Sequence, residues 1–176
     1  VDLGAHAYKL MEPLVVPNHT QVRGAGVDAT SISFALLPPT STIDPLQAAI
    51  SVGSLVELSS FSVSLAVNAV APSFRNKSQE AGTVAVLMPH EATQFTATNL
   101  WVTTDGNASN ALRVEGSGFS VSGCTLWQRG CTLANGFEPS STLYLSNAQD
   151  GHFVNNTISW RCSAFDLDTS ERVVFE

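Results

Sequence analysis

A two-residue apolar signature returns along this chain at intervals of 22 to 31 residues, and that periodicity restricts the fold more than any other feature. The signature has the form apolar-x-apolar. It stands at Val56-Glu57-Leu58, Val84-Ala85-Val86, Leu112-Arg113-Val114, Leu143-Tyr144-Leu145 and Phe165-Asp166-Leu167, so its second apolar positions are 58, 86, 114, 145 and 167. Leu14-Val15-Val16 is read as an earlier member, followed by a longer insertion over 36–53. A second pulse follows each mark: Phe61 and Val63, then Phe95, then Phe119 and Val121, then Phe153, then Val173 and Phe175. A third lines up Thr98-Asn99-Leu100-Trp101 with Cys124-Thr125-Leu126-Trp127 and Asn156-Thr157-Ile158-Ser159. A unit of two or three short strands cannot bury its own apolar side chains; stacking units in register makes one continuous core. An immunoglobulin-like sandwich also has many short strands, but it does not predict one signature per unit with similar turns behind it.

Between the marks, apolar and polar residues alternate over four to six residues, the period of a strand. Helix signals are nearly absent. The best is Asp44-Pro45-Leu46-Gln47-Ala48-Ala49-Ile50, with Asp44 at the N-cap and Pro45 at the first helical position, which predicts a short helix inside the 36–53 insertion. Composition agrees with an all-β chain of one domain spanning 1–176. It is 44% hydrophobic and only 13% charged, about half the usual charged share, with Ser and Thr in place of the Glu and Lys of a helical surface. The net charge of −7, with lysine only at Lys9 and Lys77, argues against nucleic-acid binding. No apolar run approaches the roughly 18 residues of a membrane span, and Val1-Asp2-Leu3-Gly4 has neither the charged nor the apolar region of a signal peptide.

The opening coil, Leu14-Val15-Val16-Pro17-Asn18-His19-Thr20-Gln21-Val22-Arg23-Gly24-Ala25-Gly26 followed by Thr30-Ser31-Ile32-Ser33-Phe34, resembles that of the right-handed parallel β-helix proteins of the pectin-lyase-like superfamily. Gly123-Cys124-Thr125-Leu126 and Asn155-Asn156-Thr157-Ile158 are similar to its asparagine-turn coils. The resemblance runs from about Leu14 to Glu176 and implies a single-stranded solenoid of about five to six coils. The pairs 56/58, 84/86, 112/114, 143/145 and 165/167 are then inward stacks, with Gly and Asn supplying the turns. Val173-Val174-Phe175-Glu176 reads as a last strand with an open edge. That leads to the expectation of a longer solenoid, or of an end covered by a partner or a second copy.

With 165 and 167 inward, Asp166 and Asp168 point outward on one strand. Stacking sets Tyr144 beside Asp166 with Arg113 beyond, and Ser146 beside Asp168 with Glu115 beyond. Paired carboxylates are what glycoside hydrolysis uses, one protonated as acid and one ionised, so Asp166, Asp168 and Glu115 are the catalytic candidates. Tyr144, Arg113 and His152 are substrate-binding candidates. Trp101, Trp127 and Trp160 fall at corresponding ends of three coils and form a candidate aromatic ladder for sugar rings. The resemblance implies an extracellular, secreted carbohydrate-active domain acting as a polysaccharide hydrolase or lyase; the alternative is a non-catalytic structural or adhesive β-helix that binds glycan or self-associates end to end. The polygalacturonase set of Asn-Thr-Asp, Asp-Asp and Gly-His-Gly is missing, since Asp150-Gly151-His152 only touches it. A lyase-like site would need calcium-binding acids, with Arg161 or Arg172 as base; otherwise no cofactor or metal is called for. Cys124, Cys131 and Cys162 form no CxxC pair, which argues against zinc and leaves one disulfide plus a free thiol, or three buried thiols, open. Sequons at Asn18, Asn76, Asn107 and Asn155 are candidate glycosylation sites of a secreted protein.

Overall fold

The computed structural model describes residues 1–36, 47–67, 83–105, 109–129, 141–159 and 163–176. These spans form three parallel six-stranded sheets. The first contains β1 (Ala7–Leu10), β4 (Ser31–Leu36), β7 (Ser62–Val67), β10 (Trp101–Asp105), β13 (Thr125–Gln128) and β16 (Thr157–Ser159). The second contains β2 (Leu14–Val16), β5 (Gln47–Val52), β8 (Thr83–Met88), β11 (Ser109–Val114), β14 (Ser141–Ser146) and β17 (Ser163–Asp168). The third contains β3 (Gln21–Arg23), β6 (Val56–Ser59), β9 (Thr93–Thr98), β12 (Ser117–Ser122), β15 (Gln149–Val154) and β18 (Glu171–Phe175). Along the chain the order first, second, third sheet repeats six times. The fold is therefore a right-handed parallel β-helix of six coils, the solenoid the repeat implied in the form the resemblance implied.

Alternation places one side of every strand in the interior, where like positions stack. In the first sheet Tyr8, Ile32, Val63, Val102, Leu126 and Ile158 form one inward column. In the second, Leu14, Ile50, Val86, Leu112, Leu143 and Phe165 form another. In the third, Val22, Leu58, Ala97, Val121, Phe153 and Phe175 do the same. Each fully buried Leu or Phe contributes about 1.5–3 kcal/mol relative to an exposed one. The columns end at the last coil: Leu143 and Leu145 are fully buried, whereas Phe165 and Leu167, next in line, are each 50% exposed.

The corner between the third and first sheets is a one-residue bend. Ser60, Asn99, Gly123 and Asn155 all adopt the left-handed conformation, with φ of 61°, 51°, 59° and 53°. Each donates its N–H to the carbonyl of the equivalent strand end one coil on, Thr98, Ser122, Val154 and Glu176, at 2.9–3.1 Å. Asn and Gly serve here because they tolerate positive φ. Asn156 adds a side-chain bridge to the coil before it, accepting from Cys124 N and donating to Val121 O at 2.8 Å each.

Three expectations are corrected. Gln47–Val52 is a strand, not the end of a helix over 44–50, because its apolar residues fill the second sheet between β2 and β8. Residues 37–46, including Asp44, Pro45 and Leu46, lie outside the described residues. Val56 and Leu58 belong to the third sheet, and Leu112 and Val114 pair with Val86 and Met88 rather than with 84 and 86. A short apolar-x-apolar motif occurs on strands of all three sheets, as at Ile32/Phe34, Leu143/Leu145 and Val56/Leu58, so it marks an inward face without saying which one. The stacks 112/114, 143/145 and 165/167 are as expected.

In the column Val56, Phe95, Phe119, Gly151, Val173, the Phe119 ring occupies the space a side chain at 151 would need. A Cβ there would fall inside that ring. Gly151→Ala is expected to lower unfolding free energy by about 1–3 kcal/mol through overpacking, measured by denaturant titration. A neutral substitution would contradict the Phe119–Gly151 packing.

Candidate functional site

The outward side of the second sheet assembles the acidic patch. Arg113 pairs in register with Tyr144, Tyr144 with Asp166, and Ser146 with Asp168. The guanidinium of Arg113 lies 4.5 Å from the centroid of the Tyr144 ring, close enough for a cation–π contact. Its Nε donates to Glu115 Oε1 at 2.5 Å. Arg113 is almost fully buried and the Glu115 side chain is 23% exposed. Glu115 is thus engaged as the counter-ion of a buried guanidinium. Asp166 and Asp168 are exposed, separated by two residues of strand, about 6.6 Å, and make no ion pair with a described residue. Ser146 is buried beneath them, where its Oγ accepts from Asn147 Nδ2 at 3.3 Å.

His152 does not join the patch. It sits in the middle of β15 on the third sheet, between Ser120 and Val174, rather than in a turn. Close by, Arg172 binds Asp150 through two bonds, Nε to Oδ1 at 2.5 Å and Nη2 to Oδ2 at 2.9 Å. These bonds, with the guanidinium charge behind them, hold the Asp150 carboxyl below the usual range, against a smaller opposing effect of desolvation. Arg172, the candidate base, is thus engaged in an exposed ion pair with Asp150.

Trp101 and Trp127 lie on the outward side of the first sheet and do not share a column. Trp101 pairs with Thr125, and Trp127 pairs with Thr103. The expected match of Leu100-Trp101 with Leu126-Trp127 is two residues out of register, because Leu100 is buried at the corner before β10, while Val102 is the strand residue that stacks on Leu126. The indoles therefore lie on adjacent coils and are offset diagonally, about 8 Å apart at Cα from the coil and strand spacings. Trp160 lies outside the described residues.

Around the two indoles the face is made of hydroxyls: Ser31, Ser62, Thr125 and Thr157 in the Trp101 column, Ser33, Ser64, Thr103 and Ser159 in the Trp127 column. Several are held by the preceding coil: Ser33 Oγ donates to Tyr8 O at 3.2 Å, and Ser62 Oγ to Thr30 O at 3.3 Å. Trp101 is 37% exposed. Arg129, exposed, lays its guanidinium 4.5 Å from the Trp127 ring centroid. Sequence reasoning missed this hydroxyl frame, although Ser-x-Ser at 31/33 and again at 62/64 is its visible trace.

Cys124 is a buried free thiol whose pKa burial pushes up, with backbone hydrogen bonds at Leu100 and Ser122 pulling the other way. Cys131, Cys162 and Arg161 lie outside the described residues, as do the sequons at Asn76 and Asn107. Asn18 and Asn155 are exposed at corners; Asn18 Oδ1 accepts from Ser54 N at 2.8 Å. Among the described residues no three of His, Cys, Asp or Glu come together as a metal-binding group, so a lyase-like calcium set is not formed there. No helix of the described residues is long and apolar enough to cross a membrane.

No protein-family profile matches the chain, and no curated protein matches it in sequence. Among solved structures, the crystal structure of the Dettilon tailspike protein shares its fold, with a TM-score of 0.66 at 14% identity over 98% of this chain. This chain spans 31% of that protein's length. A Geobacillus virus E2 protein, ORF18, aligns with a TM-score of 0.44 at 11% identity over 90% of this chain and 41% of its own.

The ion pair gives a test of what Glu115 does. Glu115→Ala removes the carboxylate facing a buried guanidinium and is expected to cost about 2–3 kcal/mol of stability, read by chemical denaturation. An unchanged stability would return Glu115 to the catalytic candidates.

Proposed function

We propose that this chain is an extracellular glycan-binding β-helix, with the outward side of the first sheet as its binding face. The observation that carries this reading is the pair of outward indoles, Trp101 and Trp127, on adjacent coils and stacked in their columns on Ser and Thr residues. Sugars present apolar C–H faces and rings of hydroxyls; flat aromatic side chains match the first and fixed hydroxyls the second. The parallel stack holds this surface rigid, so little side-chain ordering is lost on binding. The fold shared with a tailspike protein along nearly the whole chain supports the reading. Glycan-array binding followed by titration tests it. Trp101→Ala and Trp127→Ala are each expected to weaken binding about tenfold, equal to about 1.4 kcal/mol. Undiminished binding in both variants would refute it.

A second reading is cleavage by the second-sheet patch. It is favoured by the exposure of Asp166 and Asp168 on one side of β17 beside Tyr144. Two carboxylates are the minimum for hydrolysis of a glycosidic bond, and with Glu115 engaged by Arg113 these two would carry it. Binding is placed first because both aspartates lie on an exposed strand face, where no described residue shields a reacting bond from water. In the same experiment, alanine at Asp166 and Asp168 leaves binding intact. Loss of polysaccharide cleavage in those variants would establish the second reading.

A further inference from the structure

We infer that the interior of the solenoid holds an ordered water molecule, bonded to the Thr104 hydroxyl, at the corner between the first and second sheets in coils four and five. The inward column beside Val102 in the first sheet runs Phe34, Leu65, Thr104, Gln128. The column that faces it across the corner, at the start of the second sheet, runs Ala48, Val84, Asn110, and Ser141 follows, tied to the Asn110 side chain. Both columns therefore change from apolar to polar at the same two coils, those of β10 with β11 and β13 with β14. Thr104 is fully buried, and Gln128, Asn110 and Ser141 are buried with it.

Thr104 supplies the decisive observation. Its Oγ1 has no hydrogen-bond partner, although the residue is wholly shut off from solvent. Roughly nine-tenths of buried polar groups in folded proteins are bonded to protein or to ordered water, because a bare one forfeits its hydration for nothing. Asn110 spends its Nδ2 on Ser141, at 2.5 Å to the carbonyl and 3.5 Å to Oγ. Among the described residues no group donates to its Oδ1, so that oxygen stays an acceptor at the same corner. Gln128, next to Thr104 in the column, brings an amide that both donates and accepts. A buried water takes two to four such partners, and it can donate to one while accepting from another. Its immobilisation costs little beside the bonds it makes. A cation suits the place poorly, since none of these four side chains carries a charge to offset an ion taken out of water. The corner lies behind β10 and β13, the strands that carry Trp101 and Trp127, and the water is held there whatever their outer side binds.

Thr104→Val keeps the shape of the side chain and removes the hydroxyl, so the sign of its effect separates a water-held hydroxyl from a bare one. With the water in place the variant strips it of a partner and loosens its hold on the neighbouring amides, and the midpoint of chemical denaturation falls. A bare hydroxyl gives the opposite result, a raised midpoint, because its uncompensated burial is relieved. Magnetic relaxation dispersion of the solvent counts long-lived internal water directly. The contribution of one molecule should vanish in Thr104→Val and persist in Thr104→Ser, which retains the hydroxyl. A high-resolution crystal structure of the unaltered chain gives the same answer without any variant: density within hydrogen-bonding distance of Thr104 Oγ1 and of a second side chain at the corner is expected. A raised midpoint, an unchanged dispersion in Thr104→Val, or a Thr104 hydroxyl bonded only to protein atoms overturns the inference.

Discussion

Everything in this molecule depends on one coil resting on the next in register. A single coil has three short strands and no core. Its backbone donors and acceptors and its inward side chains are completed only by the coils on either side. The left-handed bends at Ser60, Asn99, Gly123 and Asn155 show how tightly the repeat is held, since each sends its N–H to the same place one coil on. The outward faces inherit that order. Trp101 and Trp127, or Tyr144 and Asp166, are neighbours only because the register makes them so.

The solenoid was legible because its period survives in the spacing of apolar pairs, and because turns of Asn and Gly recur behind them. What could not be read was which face a given pair belonged to. Two corners have nearly constant length: the third sheet leads to the first through two residues in most coils, as from Ser59 to Ser62 and from Ser122 to Thr125. The connection from first to second sheet varies widely, from Asp105 to Ser109 in one coil and from Val67 to Thr83 in another. A repeat length measured across that corner mixes true coils with insertions. This is why Val56-Glu57-Leu58, a third-sheet strand, falls into one series with Leu112-Arg113-Val114 of the second sheet, whereas the helix expectation over 44–50 comes from the start signals of Asp44 and Pro45. In the last three coils the second-sheet stacks 112/114, 143/145 and 165/167 follow the expected register, down to the pairing of Tyr144 with Asp166.

The candidate chemistry was legible in parts. Proximity of Arg113, Glu115, Tyr144 and Asp166 follows from alternation and stacking alone. The consequence of proximity does not, because only the folded arrangement shows Glu115 spent on a buried guanidinium. Trp101 and Trp127 both face outward, but the register sets them on a diagonal rather than in the straight ladder expected. A diagonal pair framed by hydroxyls is a different surface from a straight ladder. It shifts the weight of the functional reading from the acids of the second sheet to the first.

The register of β10 against β13 is therefore the point on which the account stands, and engineered cysteines measure it directly. Paired residues on neighbouring parallel strands lie about 4.8 Å apart, within disulfide range, whereas a diagonal pair at about 8 Å is beyond it. Thr103→Cys with Trp127→Cys should cross-link on mild oxidation, read by mass spectrometry of proteolytic fragments, and Trp101→Cys with Trp127→Cys should not. The reverse outcome would restore the straight tryptophan ladder and contradict the structure of the face described above.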